Sequence, residues 1–172
     1  MTMGEVFKTC QPSTMARAAF VAAFADIYEH SPWVAEGTFD RGLTAEHDLV
    51  ANLHLAMSET VRASPVDARL KLLRAHPDLG GKVAVALTAA STAEQRGAGL
   101  SDCTPDEFAR FQALNAAYTE RFRFPFIMAV KGSSRSAILT AFEARIRNSP
   151  QEELERALVE VNKIAFFRLS ER

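Results

Sequence analysis

Apolar residues recur at steps of three and four along most of the chain, and strict apolar-polar alternation is almost nowhere seen, so the pattern predicts an all-α fold. Ser13 is a suitable N-cap for a first helix over residues 13–30, with Phe20, Phe24, Ile27 and Tyr28 at helical spacing. Ser31-Pro32-Trp33 ends it, and a loop with Gly37 and Gly42 leads to a second helix from about Thr44, where Leu49, Leu53, Met57 and Val61 stand in i, i+4 register. Ser64-Pro65-Val66-Asp67 is a start signal, with Ser as cap, Pro at the first helical position and an acid in the first turn. The helix it opens runs into His76. Pro77 clashes with the backbone of the preceding residue and pushes His76 out of the α region, so the helix stops there.

After Gly80-Gly81 a short helix is predicted over residues 83–90, followed by Ser91-x-x-Glu94, the pattern in which side chains satisfy each other's backbone donors. Gly97 and Gly99 break that segment early. Thr104-Pro105-Asp106-Glu107 repeats the start signal, and Phe108, Phe111, Leu114, Tyr118 and Phe122 form a stripe behind it that also carries Asn115. The apolar run over residues 124–130 is either a short extended segment or the opening turn of a buried helix. If it is extended in a helical protein, no sheet pairs with its backbone groups, which leaves them to a ligand. Lys131-Gly132-Ser133-Ser134 reads as a turn, and Ile138, Leu139, Phe142 and Ile146 mark the next helix. Ser149-Pro150-Gln151-Glu152 opens the last one, with Leu154, Leu158, Val161, Ala165 and Leu169 on its apolar face.

With 172 residues, 48% of them hydrophobic, and no repeat, low-complexity stretch or linker, the chain is expected to form a single compact multi-helix domain spanning residues 1–172. Acidic and basic residues are interleaved at a net charge of −1, which offers no electrostatic footprint for nucleic acid or an anionic membrane. No apolar run approaches the ~20 residues of a spanning helix, and the N-terminus lacks a basic region followed by an apolar core. Cys10 and Cys103 have neither metal-site spacing nor the density of a disulfide framework and are expected as free thiols in a reducing compartment. The ending Ser170-Glu171-Arg172 lacks a peroxisomal tripeptide, so a cytoplasmic setting is expected.

Four side chains carry candidate chemistry. His76 sits at a helix C-terminus, where the dipole favours the imidazolium; it either caps its helix or donates a proton. Glu94 has the capping box as its structural explanation. Asn115, on an apolar stripe, is either a packed amide or a contact for something polar. Arg168 projects into the apolar face of the last helix, where its charge requires a partner: a carboxylate of this protein, or an anionic ligand held bidentately. His47 and His54 are seven apart with no third ligand, and no metal site is expected.

Four ordered segments, His76-Pro77-Asp78-Leu79-Gly80-Gly81, Ser91-x-x-Glu94-Gln95-x-x-Ala98-Gly99, Leu114-Asn115-x-x-Tyr118-x-x-x-Phe122-x-Phe124-Pro125-Phe126 and Lys163-Ile164-Ala165-x-x-Arg168-Leu169, together resemble the 2-oxo-4-hydroxy-4-carboxy-5-ureidoimidazoline (OHCU) decarboxylase family. Ser31-Pro32-Trp33-Val34-Ala35-Glu36 is similar to an early loop of that family. The resemblance implies an all-helical, cofactor-free enzyme, commonly a homodimer. It would convert a small ureidoimidazoline carboxylate to (S)-allantoin and carbon dioxide at the end of urate oxidation. By position it implies His76 as catalytic acid, Glu94 as its acidic partner and Arg168 as a contact to the anionic substrate. Pro77, Ser91 and Gln95 would line the site, and main-chain groups of Phe126, Ile127, Met128, Ala129 and Val130 would hold ring amides. Gly80 stands where the family often has alanine. A non-catalytic helical interaction module and a related ureide lyase or isomerase are the competing readings.

Overall fold

The three Ser/Thr-Pro start signals each precede a helix, and capping side chains account for two of them. The computed structural model describes residues 4–79, 96 and 98–172. Among them lie seven α-helices and no strand, apart from an isolated bridge between Val6 and Leu49. The described chain falls into two compact units. One comprises the residues up to Ala75 together with Asn162–Arg172, the other His76–Val161.

In the first unit the helix predicted over residues 13–30 is broken up. Ser13 lies in a single 3₁₀ turn, Pro12–Thr14, and its N–H and hydroxyl both bond the Asp48 carboxylate at 2.8 Å instead of capping a helix. Helix α1 covers only Arg17–Phe24, burying Phe20 and Phe24. The chain then leaves helical geometry, and His30 adopts φ = +47°, a region costly for a side-chain-bearing residue. Trp33 does not close an element but opens α2, Trp33–Asp40. Gly37, read from the sequence as a loop residue, is inside that helix. A Cβ there would meet the Thr60 methyl at 3.0 Å, and the hydroxyls of Thr38 and Thr60 lie 3.0 Å apart beside it. The glycine marks a close helix crossing.

The partner in that crossing is α3, Val50–Ala63, whose Leu53, Met57 and Val61 are buried as the spacing predicts. Thr44 does start helical structure, a 3₁₀ turn over Ala45–Asp48 in which the His47 ring accepts the Thr44 N–H at 2.9 Å. Leu49 is extended and separates the two pieces. Ser64 caps nothing ahead of it; its hydroxyl donates to the Val61 carbonyl at 2.7 Å and finishes α3. Helix α4, Val66–Arg74, follows Pro65 and ends just ahead of His76, where Pro77 requires it to.

In the second unit α5, Pro105–Phe122, begins at the predicted start signal, closed by a reciprocal box: the Thr104 N–H donates to Glu107 at 2.9 Å and the Glu107 N–H to the Thr104 hydroxyl at 3.2 Å. Residues 124–130 are the non-helical alternative, without regular structure. The Ser134 hydroxyl accepts the Ala137 N–H and starts α6, Arg135–Arg145. Helix α7, Pro150–Ser170, opens with reciprocal Ser149–Glu152 bonds of 3.3 and 2.8 Å; its residues divide between the two units after Val161. The core of this unit is aromatic: Phe126 stacks on Phe142 with centroids 3.8 Å apart, and Tyr118 meets both edge-on. The helix predicted over residues 83–90 and the Ser91–Glu94 box lie outside the described residues.

Candidate functional site

His76 is buried, 8% exposed, and opens a short non-helical segment. Pro77 is half-buried, Asp78 is exposed and Leu79 is covered. Partial desolvation by its surroundings pushes the Asp78 carboxyl above its ordinary pKa. The segment is tied to α5 by Asn115, whose side-chain N–H donates to the Leu79 carbonyl at 2.9 Å. The Asn115 Oδ1 is buried and has no hydrogen-bond partner among the described residues. The amide on the apolar stripe thus has a structural contact on one side and an open acceptor on the other. Ser91, Glu94 and Gln95 lie outside the described residues.

Residues 126–130 belong to the same unit. The Phe126 side chain is committed to the core, stacked on Phe142 and lying 4.4 Å beneath the Arg145 guanidinium, so only its backbone can serve a ligand. Phe126, Ile127 and Val130 are buried, whereas Met128 and Ala129 are half-exposed. Three of the main-chain groups are occupied from within. The Ile127 carbonyl accepts from Arg145 Nη1 at 2.7 Å, the Ala129 N–H donates to Glu160 Oε2 at 2.9 Å, and the Val130 carbonyl accepts the Ser133 N–H.

The groups that grip this segment are charged and inside the protein. Glu153 is 0% exposed. One of its oxygens accepts from Arg145 Nε at 2.9 Å and Nη2 at 2.6 Å and from the Tyr118 hydroxyl at 2.5 Å, and the other from Asn148 at 2.7 Å. Burial, reinforced by the bond to the Glu153 carboxylate, pushes the Tyr118 phenol far above its usual range. Glu160, also buried, has Arg156 at 2.7 Å.

Arg168 lies in the other unit. It is buried, with Nη1 2.9 Å from Glu29 Oε2 and 3.4 Å from the Ile27 carbonyl. Residues 26–29, read from the sequence as the end of a helix, instead hold the last part of α7 one after another. Asp26 pairs with Arg172, Ile27 receives Arg168, the Tyr28 hydroxyl donates to Asn162 at 2.7 Å, and Glu29 faces Arg168. The carboxylate partner that the arginine required is therefore Glu29.

Sequence reasoning passed over Glu29, Arg145, Glu153 and Glu160. The signal for two of them was present: Glu153, Ala157, Glu160, Ile164 and Arg168 follow one another at three- and four-residue steps, so the projection that placed Arg168 inward places both glutamates inward as well. His47 and His54 are not brought to a metal. His47 caps its turn, and His54 Nε2 donates to the Asn162 carbonyl at 2.8 Å with its ring against Phe166. Burial pushes the His54 pKa down. Among the described residues no cluster of three or more His, Cys, Asp or Glu is placed to hold a metal ion, and no helix is long and apolar enough to cross a membrane.

Comparison with known proteins bears on the same residues. The sequence profile of the family described as OHCU decarboxylase matches residues 13–170. The 2-oxo-4-hydroxy-4-carboxy-5-ureidoimidazoline decarboxylase of Haloferax volcanii is 45% identical over 154 residues, 90% of this chain and 89% of its own length. The crystal structure of an (S)-allantoin synthase superposes with a TM-score of 0.74 at 32% identity, covering 93% of this chain and 52% of that one. An OHCU decarboxylase crystallised in the presence of (S)-allantoin shares the fold, with a TM-score of 0.69 at 22% identity over 86% of this chain and 94% of that one. A profile match across nearly the whole chain and a relative of this identity and coverage leave one assignment: this chain belongs to the OHCU decarboxylase family.

Proposed function

We propose that this chain decarboxylates 2-oxo-4-hydroxy-4-carboxy-5-ureidoimidazoline to (S)-allantoin and carbon dioxide. The observation that carries the reading is the 45% identity, over nine tenths of both chains, to a curated relative named for this reaction. The residues supply fitting chemistry. Breaking the bond to the carboxylate leaves an electron pair that the substrate's own adjacent imine or carbonyl can take up, so the protein's tasks are orientation, charge stabilisation and delivery of one proton. Arg168, fixed by Glu29, is the anchor for the anionic substrate. His76, buried just beyond α4 in a segment held by Asn115, gives its proton to one face of the ring. In this reading Glu94 keeps the imidazole charged, Pro77, Ser91 and Gln95 line the site, and backbone groups of residues 126–130 meet the ring amides. Metal and organic cofactor have no part in the scheme. A cytoplasmic homodimer is the form in which we propose it acts.

The test is circular dichroism of freshly generated substrate. With the protein present, optically active allantoin should accumulate faster than in buffer, and His76→Ala should remove that acceleration while keeping the helical far-ultraviolet spectrum. A rate equal to buffer with the wild-type chain would refute the activity. An unimpaired His76→Ala variant would refute the role of the imidazole.

A further inference from the structure

Residues 127–129 are gripped on one edge by two charges of opposite sign, and the residue between the two grips has both of its main-chain groups left over. The Ile127 carbonyl accepts from Arg145 at 2.7 Å and the Ala129 N–H donates to Glu160 at 2.9 Å. No hydrogen bond within the described residues falls on the N–H or carbonyl of Met128. Residues 127–129 have no helix or strand hydrogen bonding, so their main-chain groups are committed only where another group takes them. The committed ones are Ile127 C=O and Ala129 N–H, held by Arg145 and Glu160. The uncommitted ones are the N–H and C=O of half-exposed Met128.

The two grips act through the two peptide units that flank Met128. One amide comprises the Ile127 carbonyl and the Met128 N–H. A guanidinium bonded to that carbonyl draws electron density towards it and makes the Met128 N–H a stronger donor. The next comprises the Met128 carbonyl and the Ala129 N–H. A carboxylate bonded to that N–H makes the Met128 carbonyl a stronger acceptor. Hydrogen bonds linked in series through polarisable amides strengthen one another by roughly 10–30% per bond, and bonds to ionised groups are about twice as strong as neutral ones.

We propose that Arg145 and Glu160 are positioning residues that turn Met128 into a paired donor and acceptor for a cis-amide edge, one ring N–H beside one ring carbonyl. Glu153 fixes Arg145 from the other side through two bonds, and Arg156 neutralises the second oxygen of Glu160. Neither Arg145 nor Glu160 needs to touch substrate. The inference rests on the decarboxylase reading for its ligand, a hydantoin-type ring.

The experiment is a coupling cycle between protein and ligand, measured by calorimetry with (S)-allantoin and with allantoin methylated at each ring nitrogen. Glu160→Gln keeps an acceptor for the Ala129 N–H but removes the charge. It should weaken (S)-allantoin binding about fivefold and leave binding of the analogue that lacks the N–H facing Met128 within about twofold of wild type. Arg145→Lys, which acts on the donor side, should weaken both ligands by the same factor. KM for the substrate should rise in both variants more than kcat falls. Equal weakening of every ligand by Glu160→Gln, or no weakening, overturns the inference. If Glu160→Gln does not fold, an Arg145→Lys variant that binds both ligands as wild type does overturns it. A wild-type chain that accelerates decarboxylation while Glu160→Gln binds normally leaves the activity standing and removes the inference. A chain that shows the coupling but no turnover does the reverse, and one that binds no allantoin ends both.

Discussion

Replacing Glu153 by glutamine tests whether the charges inside the second unit are held as a set. Glu153 is fully buried, and the side chain of Arg145 is 8% exposed. The glutamine oxygen can still accept from Arg145 and from the Tyr118 hydroxyl, and the Asn148 amide can turn its oxygen towards the new N–H₂. What is lost is the counter-charge. Removing one partner of a buried pair costs about 3–5 kcal/mol, and with the hydrogen bonds largely kept the lower end applies, about 3 kcal/mol. At 2–4 °C per kcal/mol for a chain of this size, Tm should fall by about 6–12 °C. The assay is thermal and urea unfolding followed by far-ultraviolet circular dichroism. A double variant, Arg145→Met with Glu153→Leu, removes both charges together and should be more stable than Glu153→Gln, because no uncompensated charge is left in the core. It should also bind allantoin poorly, since the Ile127 carbonyl has lost its donor. The reasoning fails if Glu153→Gln lies within 1 kcal/mol of wild type, or if the double variant loses the sum of the two single losses.

Three further outcomes can be checked alongside. Arg168→Lys keeps a charge opposite Glu29 but not the planar fork, and KM should rise about 10- to 100-fold while Tm changes little; an unchanged KM counts against Arg168 as the substrate anchor. Thr104→Ala removes the acceptor of the Glu107 N–H and should cost about 1 kcal/mol of stability by urea denaturation, with allantoin binding unaltered. His54 has its pKa lowered by burial, so the unfolded chain takes up its proton first: its contribution is complete above the unfolded value of about 6.5 and is lost as pH falls through the folded one. Wild type should therefore lose more stability than His54→Gln between pH 7 and pH 5, and parallel profiles would show that the ring is not held neutral.

What was legible from the sequence was whatever nearest neighbours along the chain decide. Thr104 with Glu107, Ser149 with Glu152, and the halt of α4 ahead of His76-Pro77 are local matters of caps and proline sterics, and each is found in place. The all-helical class followed from periodicity, which reports apolar burial without reference to distant residues. The misread stretches depend on such residues. Ser13 is a good N-cap by type, but Asp48, 35 residues away, holds both its N–H and its hydroxyl. Residues 25–30 continue a helical pattern, yet the chain there serves the end of α7 instead. Gly37 signals a loop until Thr60 is known to lie against it. The inward position of Glu153 and Glu160 was within reach of the projection that placed Arg168, but not what meets them: one partner of Glu160 is a backbone N–H 31 positions earlier, and no local pattern announces a pairing over that distance.

The order of charges along α7 explains how one helix can bury so many. Glu153 stands in its first turn and Arg168 in its last, so each charge lies at the end of the helix dipole that favours it. Reversing them would set both against the dipole in addition to desolvating them. Each is also met by a partner from elsewhere in its own unit, Arg145 for Glu153 and Glu29 for Arg168, and Glu160, between them, is met by the Ala129 N–H. On the reading proposed here this arrangement has a chemical purpose. An enzyme that uses neither metal nor organic cofactor has only oriented dipoles and fixed charges with which to stabilise the electrons released on decarboxylation. Those charges are most effective where water is excluded and where the fold, not the substrate, has already held them in place. A carboxylate at Glu160 and a guanidinium at Arg145 acting through two peptide units put that charge to use at Met128 without standing in the substrate's way.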